Sequence, residues 1–126
     1  MIKKEGLGWR IIRDSSRDNF PTLIGGENWA IELNKSEWEN LVKVVIDLSD
    51  QYKSVKDQLM GDEDITLELE RSPWLAILKG DQYGWDLRLI LSASGLLNRG
   101  AEVYWPRNVT NYVSNAMRTM WDSDYL

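Results

Sequence analysis

The sequence predicts an α+β fold, an antiparallel, twisted or curved sheet of about seven strands with two amphipathic helices in the order βββα-ββββα. Two observations lead to this prediction. Residues 36–59 and 109–121 repeat apolar side chains at helical spacing, and short stretches of alternating apolar and polar residues come before each of them. The connections between these stretches are mostly short, which favours antiparallel pairing of neighbouring strands.

Three strands are predicted before the first helix, over residues 8–14, 20–24 and 29–33. Trp9 and Ile11 share one face of the first strand, and Trp29, Ile31 and Leu33 share one face of the third. Gly25-Gly26 with Glu27-Asn28 predicts a hairpin turn between the second and third strands.

The first helix is predicted from a capping box and a long apolar stripe. Ser36 and Glu39 have the spacing at which the side chain of each can bond the backbone N–H of the other, and Gly61 is the expected end. The apolar positions alternate in steps of three and four, and Val42 and Ile46 widen the stripe. These positions are Trp38, Leu41, Val45, Leu48, Tyr52, Val55 and Leu59.

Four strands are predicted in the second half, over residues 65–70, 74–79, 85–93 and 101–105. GDQYG at 80–84 is a hairpin connection, and 94–100 is a loop with two exposed leucines, Leu96 and Leu97. In the third of these strands, the residues expected to face inward are Trp85, Leu87, Leu89, Leu91 and Ala93.

The second helix follows Pro106, with Asn108 as the expected N-cap. Its apolar stripe is formed by Val109, Tyr112, Val113, Ala116, Met117, Met120 and Trp121. The opposite face is polar but almost uncharged, which is unusual for a helix face in water. It consists of Thr110, Asn111, Ser114, Asn115, Arg118 and Thr119.

The length of 126 residues predicts one domain, and the strand–helix order suggests a tandem pseudo-repeat over roughly 8–60 and 64–121. The alternative is one α+β sheet with two unrelated helices, and the pattern alone leaves both open. The start of the chain has no apolar run and no stretch is long enough to span a membrane, so a cytoplasmic location is expected.

The absence of histidine and cysteine predicts a protein that is not an enzyme and carries no cofactor or metal. The usual general base, the thiolate nucleophile and the commonest zinc ligands are missing, and no phosphate-binding glycine motif or nucleophile elbow occurs. The net charge is −5, and the acidity is concentrated in residues 36–70.

Three segments resemble a family of small cyanobacterial proteins known as a domain of unknown function: Gly8-Trp9-Arg10, FPTLIGGENWAIELN at 20–34, and AEVYWP at 101–106. The resemblance covers most of the chain. It implies a fold grouped with the single-stranded-DNA-binding transcriptional regulators, which include the plant Whirly proteins and bind on curved antiparallel sheets. The lysine–glycine–lysine–alanine-type signature of Whirly proteins does not occur; the chain has only Lys79-Gly80.

Cations and aromatic side chains on or beside the predicted sheets form the candidate binding surface, because single-strand binders combine both. The candidates are Arg10, Arg13, Trp74, Lys79, Tyr83, Arg88, Tyr104 and Arg107. Acidic residues on the same outward faces, such as Glu68 and Asp86, leave no visible basic stripe. Trp74, Tyr83 and Tyr104 are expected to be accessible and could also line a ligand groove.

The function expected from these observations is that of a small, non-enzymatic binding or interaction protein. The amount of apolar helix surface favours a homodimer, with the helix contact within a subunit, across the interface, or both. By analogy with the superfamily, single-stranded nucleic acid is the first ligand to test. The alternatives are a lipocalin-like pocket for an apolar small molecule or pigment, and an adaptor whose acidic first helix binds a basic protein partner.

Overall fold

The computed structural model describes the backbone of residues 1–92 and 99–125 and the side chains of residues 1–92 and 99–121. The first sheet contains β1 (Ile2–Gly6), β2 (Trp9–Arg13), β3 (Thr22–Gly26) and β4 (Ala30–Leu33), followed by α1 (Lys35–Val55) and a 3-10 turn (Lys56–Gln58). The second sheet contains β5 (Ile65–Arg71), β6 (Trp74–Gly80), β7 (Trp85–Leu91) and β8 (Ala101–Trp105), followed by α2 (Thr110–Tyr125).

Two antiparallel meanders, β1-β2-β3-β4 and β5-β6-β7-β8, make up the sheet structure. The predicted α+β class, the antiparallel pairing and the two helices are confirmed. The expected strand count of about seven is corrected to eight in the described residues, in two sheets of four. The predicted inward position of Ala93 and the exposed Leu96 and Leu97 lie outside the described residues.

The strand that the sequence did not predict is β1. Its residues IKKEG contain one large apolar side chain and only Lys4 is half-buried, so no alternation marks the strand. Its full pairing with β2, from Ile2 opposite Arg13 to Gly6 opposite Trp9, gives it its conformation. Gly8 closes the connecting turn with a φ of 81°, a backbone conformation that favours glycine.

Helix α1 begins two residues earlier than predicted, and its cap is Asn34 instead of Ser36. The Asn34 side chain accepts from the Glu37 N–H at 2.8 Å, and the Glu37 carboxylate accepts from the Asn34 N–H at 2.9 Å. Asn34 and Glu37 have the same spacing as Ser36 and Glu39, so spacing alone could not choose between the two pairs. The predicted stripe is buried from Trp38 to Tyr52. The helix ends at Val55, before the expected Gly61, where a 3-10 turn replaces its last turn.

Helix α2 begins at Thr110, and the Val113 N–H bonds the Val109 carbonyl, so the predicted cap at Asn108 is one residue too early. The Thr110 hydroxyl donates to the Trp85 carbonyl at 2.8 Å and fixes the helix start to β7. The apolar stripe is buried except at its edges. Tyr112, predicted to belong to this stripe, is 64% exposed.

The core combines the inner faces of both sheets with the apolar sides of both helices in one buried cluster. Helix α1 packs against β5, β6 and α2, and α2 also contacts β7. The apolar helix surface that favoured a second subunit in the sequence is therefore covered within the chain. Within the described residues, neither helix combines the length and apolarity needed to cross a lipid bilayer.

Gly80, at the end of β6, is the site of one stability prediction. A Cβ here would lie 2.7 Å from the Gly84 carbonyl oxygen and 3.0 Å from Trp85 Cβ, and backbone cannot give way as a flexible side chain can. We expect Gly80→Ala to lower the free energy of unfolding by about 2 kcal/mol, measured by urea denaturation. Gly61→Ala is the control, because its Cβ would meet only the Gln82 side chain at 3.3 Å. Equal stability of the two variants would refute this steric account.

Candidate functional site

The solvent-facing side of β5–β8, which we name the sheet-two face, contains most of the predicted binding residues. Alternate residues of these strands point into the core, and the others form this face. Its members are Thr66, Glu68, Glu70, Leu75, Ile77, Lys79, Asp86, Arg88, Ile90, Glu102 and Tyr104. The predicted residues Lys79, Arg88 and Tyr104 therefore lie on one surface.

These three residues surround a shallow depression of about 210 Å³, together with Ile77 and Asp86. The Arg88 guanidinium lies 5.7 Å from the centre of the Tyr104 ring. The Tyr104 hydroxyl donates to the Asp86 carboxylate at 3.2 Å. Burial, with a smaller contribution from the Asp86 charge, raises the pKa of Tyr104.

Tyr83 and Arg107 lie beyond the end of this face, around the β6–β7 turn. The Asp81 carboxylate accepts from the Tyr83 N–H at 2.8 Å and from the Arg107 guanidinium at 3.2 Å, and these bonds, the Tyr83 one foremost, lower the pKa of Asp81. The Tyr52 hydroxyl donates to the Asp81 carbonyl at 2.6 Å, and burial raises the pKa of Tyr52. Tyr83 itself is 79% exposed. Arg107 is thus engaged in holding the turn.

The prediction that Trp74 is accessible is wrong. Trp74 is buried and its indole N–H donates to the Glu37 carbonyl at 2.8 Å, because the strand alternation places it on the same side as Ala76 and Leu78. Pro73 before it suggested an exposed turn, but β6 begins at Trp74 itself.

The two predicted arginines of the first sheet lie on opposite sides of β2. Arg13 shares the inner side with Ile11, is half-buried, and stacks over the Trp38 ring at 5.3 Å. Its Nε donates to the Thr22 hydroxyl at 3.3 Å. Arg10 is exposed on the outer side of the first sheet. Neither belongs to the sheet-two face.

The electrostatics of the sheet-two face do not favour phosphate groups. Its cations are Lys79 and Arg88, and Arg88 forms an ion pair with Glu102 at 2.7 Å. The other carboxylates on the face are Glu68, Glu70 and Asp86. Binding to single strands depends on cations that are available to neutralise phosphates. Acids that outnumber the cations would repel a nucleic-acid backbone here.

A second surface, which the sequence did not predict, is a groove of about 570 Å³ between β1 and α2. We name it the edge groove and define it by the residues that line it: Lys3, Lys4, Glu5, Trp9, Tyr112, Asn115, Ala116 and Thr119. One wall is the strand β1 and the other is a face of the helix α2. Trp9, which is half-buried, lies in β2 and therefore belongs to neither wall.

The strand wall of the edge groove is the outermost strand of the first sheet. In the described part of the chain, β1 pairs only with β2. A strand at the edge of a sheet leaves every second backbone N–H and C=O without a partner strand. Lys3 and Glu5 form an exposed ion pair at 3.4 Å, and Lys4 is half-buried beside them.

The helix wall consists of positions i, i+3, i+4 and i+7 of α2, namely Tyr112, Asn115, Ala116 and Thr119. All four are uncharged, and the Thr119 hydroxyl donates to the Asn115 carbonyl at 3.0 Å. The sequence showed the uncharged helix face but assigned Tyr112 to the buried stripe. The face is uncharged where it borders the edge groove.

The chain is similar in sequence and structure to a protein whose own function is unknown. The chain is 83% identical to a Prochlorococcus sp. NATL2A protein of known crystal structure, described as a protein of unknown function from the DUF155 family. The alignment covers 96% of this chain and 99% of that one, with a TM-score of 0.92. A search of the curated proteins finds no match. A family model matches residues 4–120, and the chain belongs to that family, a domain of unknown function (DUF1818).

Proposed function

We propose that this protein is a non-enzymatic interaction protein that binds an extended, acidic peptide segment of a partner protein in the edge groove. The observation that carries the proposal is the pairing of a free strand edge with an uncharged helix face across one groove. Strand addition beside a helix is a recurring mode of peptide recognition. The Whirly-like grouping, the nucleic-acid ligand and the cytoplasmic location stay predictions.

The backbone of β1 supplies the first part of the recognition. A peptide aligned with Ile2–Gly6 would extend the first sheet by one strand, and its N–H and C=O groups would bond those that β1 turns away from β2. These bonds do not depend on the side chains of the peptide, so they select an extended conformation and not a sequence.

The side chains of the groove supply the selectivity. Every second side chain of an added strand would point toward the groove, where Tyr112 and Trp9 offer aromatic surface for apolar groups. Lys3 and Lys4 place two positive charges along the same strand edge, against the one carboxylate of Glu5, which forms an exposed ion pair with Lys3 at 3.4 Å. Lysines on an edge strand discourage pairing with an identical strand, whereas they attract a strand that carries carboxylates. The matching ligand alternates apolar and acidic residues.

The other functions considered from the sequence have less support. A nucleic acid on the sheet-two face would meet an excess of carboxylates, and Arg88 is already paired with Glu102. A lipocalin-like pocket would require space on the inner side of a sheet, but that side of the second sheet is packed against both helices.

The test uses a fluorescein-labelled octapeptide of alternating valine and glutamate, with anisotropy as the measurement. We expect saturable binding by the wild-type protein and binding weaker by about tenfold or more in Tyr112→Ala, since exposed aromatic side chains often dominate peptide contacts. Lys3→Glu should weaken binding by a similar factor. Both residues are exposed, so the fold should be retained.

Two matched controls separate a groove effect from a general one. Tyr83→Ala removes a tyrosine that is even more exposed than Tyr112 from the β6–β7 turn, and Lys53→Glu reverses an exposed charge on α1. Neither should change the affinity more than about twofold. The proposal fails if the octapeptide does not bind, if the controls weaken binding as much, or if labelled oligothymidine binds instead.

A further inference from the structure

We propose that a second copy of this chain packs on the sheet-two face, giving a symmetric dimer whose twofold axis runs parallel to the strands, between β6 and β7. The starting observation is the centre of this face. Leu75, Ile77 and Ile90 occupy solvent-facing strand positions, yet each is half-buried by its neighbours. An apolar centre surrounded by polar and charged side chains is the usual composition of a protein interface.

The strand register determines which residues of the two copies would face each other across such an axis. On this face Leu75 is opposite Ile90, Ile77 is opposite Arg88, and Lys79 is opposite Asp86. A twofold axis along the strands between β6 and β7 exchanges these two strands, so each residue faces the second copy of its own cross-strand partner.

The facing pairs are complementary in chemistry. Leu75 would lie against the partner subunit's Ile90, which buries aliphatic surface from both copies. Lys79 would lie against the partner subunit's Asp86, which places opposite charges together. Symmetry repeats both contacts, so one pair of strands supplies two apolar contacts and two ion pairs.

The residues at the middle of the central strands, and those on the outer strands β5 and β8, would also face each other across the axis. Ile77 would lie on the partner subunit's Arg88, whose aliphatic stem can cover it while the guanidinium keeps its ion pair with Glu102. On the outer strands, Glu68 would face the partner subunit's Tyr104. Glu70 would face the partner subunit's Glu102, a repulsion at the solvated rim that is reduced because Glu102 is already neutralised.

A second copy fits this face better than a partner of one charge sign. Lys79 on β6 and Arg88 on β7 lie diagonally across the two central strands. Asp86 lies opposite Lys79, and Glu102 lies on the neighbouring strand β8. Positive and negative charges therefore both occur on this face, as contact between two identical faces requires. The helices cannot provide the same contact, because their apolar sides are buried within the chain.

The test is a charge exchange followed by sedimentation velocity over a range of protein concentrations. Lys79→Asp alone and Asp86→Lys alone each place like charges together, and each should raise the dimer dissociation constant by about tenfold or more. The double variant, Lys79→Asp with Asp86→Lys, restores opposite charges and should return the constant to within about threefold of the wild-type value.

Thermal unfolding of each variant tests whether the fold is retained, so that a loss of the dimer is not explained by unfolding. All variants should unfold cooperatively near the wild-type temperature. Lys53→Asp changes the net charge as Lys79→Asp does, from an exposed position on α1, and should leave the dimer intact. A wild-type protein that stays monomeric, or a double variant that does not recover, would overturn the proposal. The dimer should also persist in Tyr112→Ala, so this test is independent of the edge groove.

Discussion

Replacing Trp105 with alanine is expected to lower the free energy of unfolding by about 4 kcal/mol. Trp105 is fully buried, and its indole N–H donates to the Gly25 carbonyl of the first sheet at 3.0 Å. Its ring lies 5.2 Å from the ring of Trp29, whose own N–H donates to the Tyr104 carbonyl. The variant therefore loses buried surface and the contacts that join the two sheets.

Urea denaturation followed by circular dichroism measures this effect. Trp105→Phe keeps an aromatic ring but leaves the buried Gly25 carbonyl without its donor, so we expect an intermediate loss of about 2 kcal/mol. Tyr104→Ala, at the neighbouring half-exposed position, should lose less than about 1 kcal/mol. If Trp105→Ala were no less stable than Tyr104→Ala, the tryptophan contacts would not hold the sheets together.

Replacing Arg99 with alanine is expected to lower the free energy of unfolding by about 2 to 3 kcal/mol. Arg99 forms an ion pair with Glu37 at 2.6 Å, and the Glu37 side chain is only 7% exposed. The guanidinium also donates to the Glu32 carbonyl at 2.6 Å and lies 4.7 Å from the centre of the Phe20 ring. The expected loss is below that of a fully buried pair because Arg99 is 31% exposed.

The reason for this loss is the carboxylate that remains. Without Arg99, Glu37 keeps the Asn34 N–H as a donor but loses its cation in a buried position. Glu37→Gln removes the charge, so Arg99→Ala should cost less in the Glu37→Gln background than in the wild type. A double-mutant cycle by urea denaturation measures this difference. Strictly additive losses would mean that the two side chains do not interact.

The sequence predicted the elements that have strong local patterns. The stripe from Trp38 to Tyr52 predicted α1, and alternation predicted which residues of β7 face the core, because 3.6-residue and two-residue periods reflect which side is buried. The cap of α1 was wrong because Asn34 and Ser36 both stand three residues before a glutamate. Every strand pairing joins consecutive strands, and the division into two sheets follows because β4 and β5, which flank α1, do not pair, a choice that no local pattern records.

The same physical reasons explain which residues of the candidate surfaces could be predicted from the sequence. Alternation predicted the outward position of Arg88, and the strand register brings Lys79 and Tyr104 onto the same face. Trp74 was misjudged because the strand begins directly after Pro73. The edge groove was missed because β1 has no apolar alternation and lies about one hundred residues from α2 in the chain. Its one sequence signal was the uncharged helix face around Asn115.

Amide hydrogen exchange of β1, measured by NMR with and without the valine–glutamate octapeptide, is the most direct test of the edge groove as a peptide site. The amides of Ile2–Gly6 that point away from β2 should exchange more slowly once the peptide is bound, because an added strand protects them. Unchanged exchange along β1, with protection appearing instead on the sheet-two face, would contradict the proposed function.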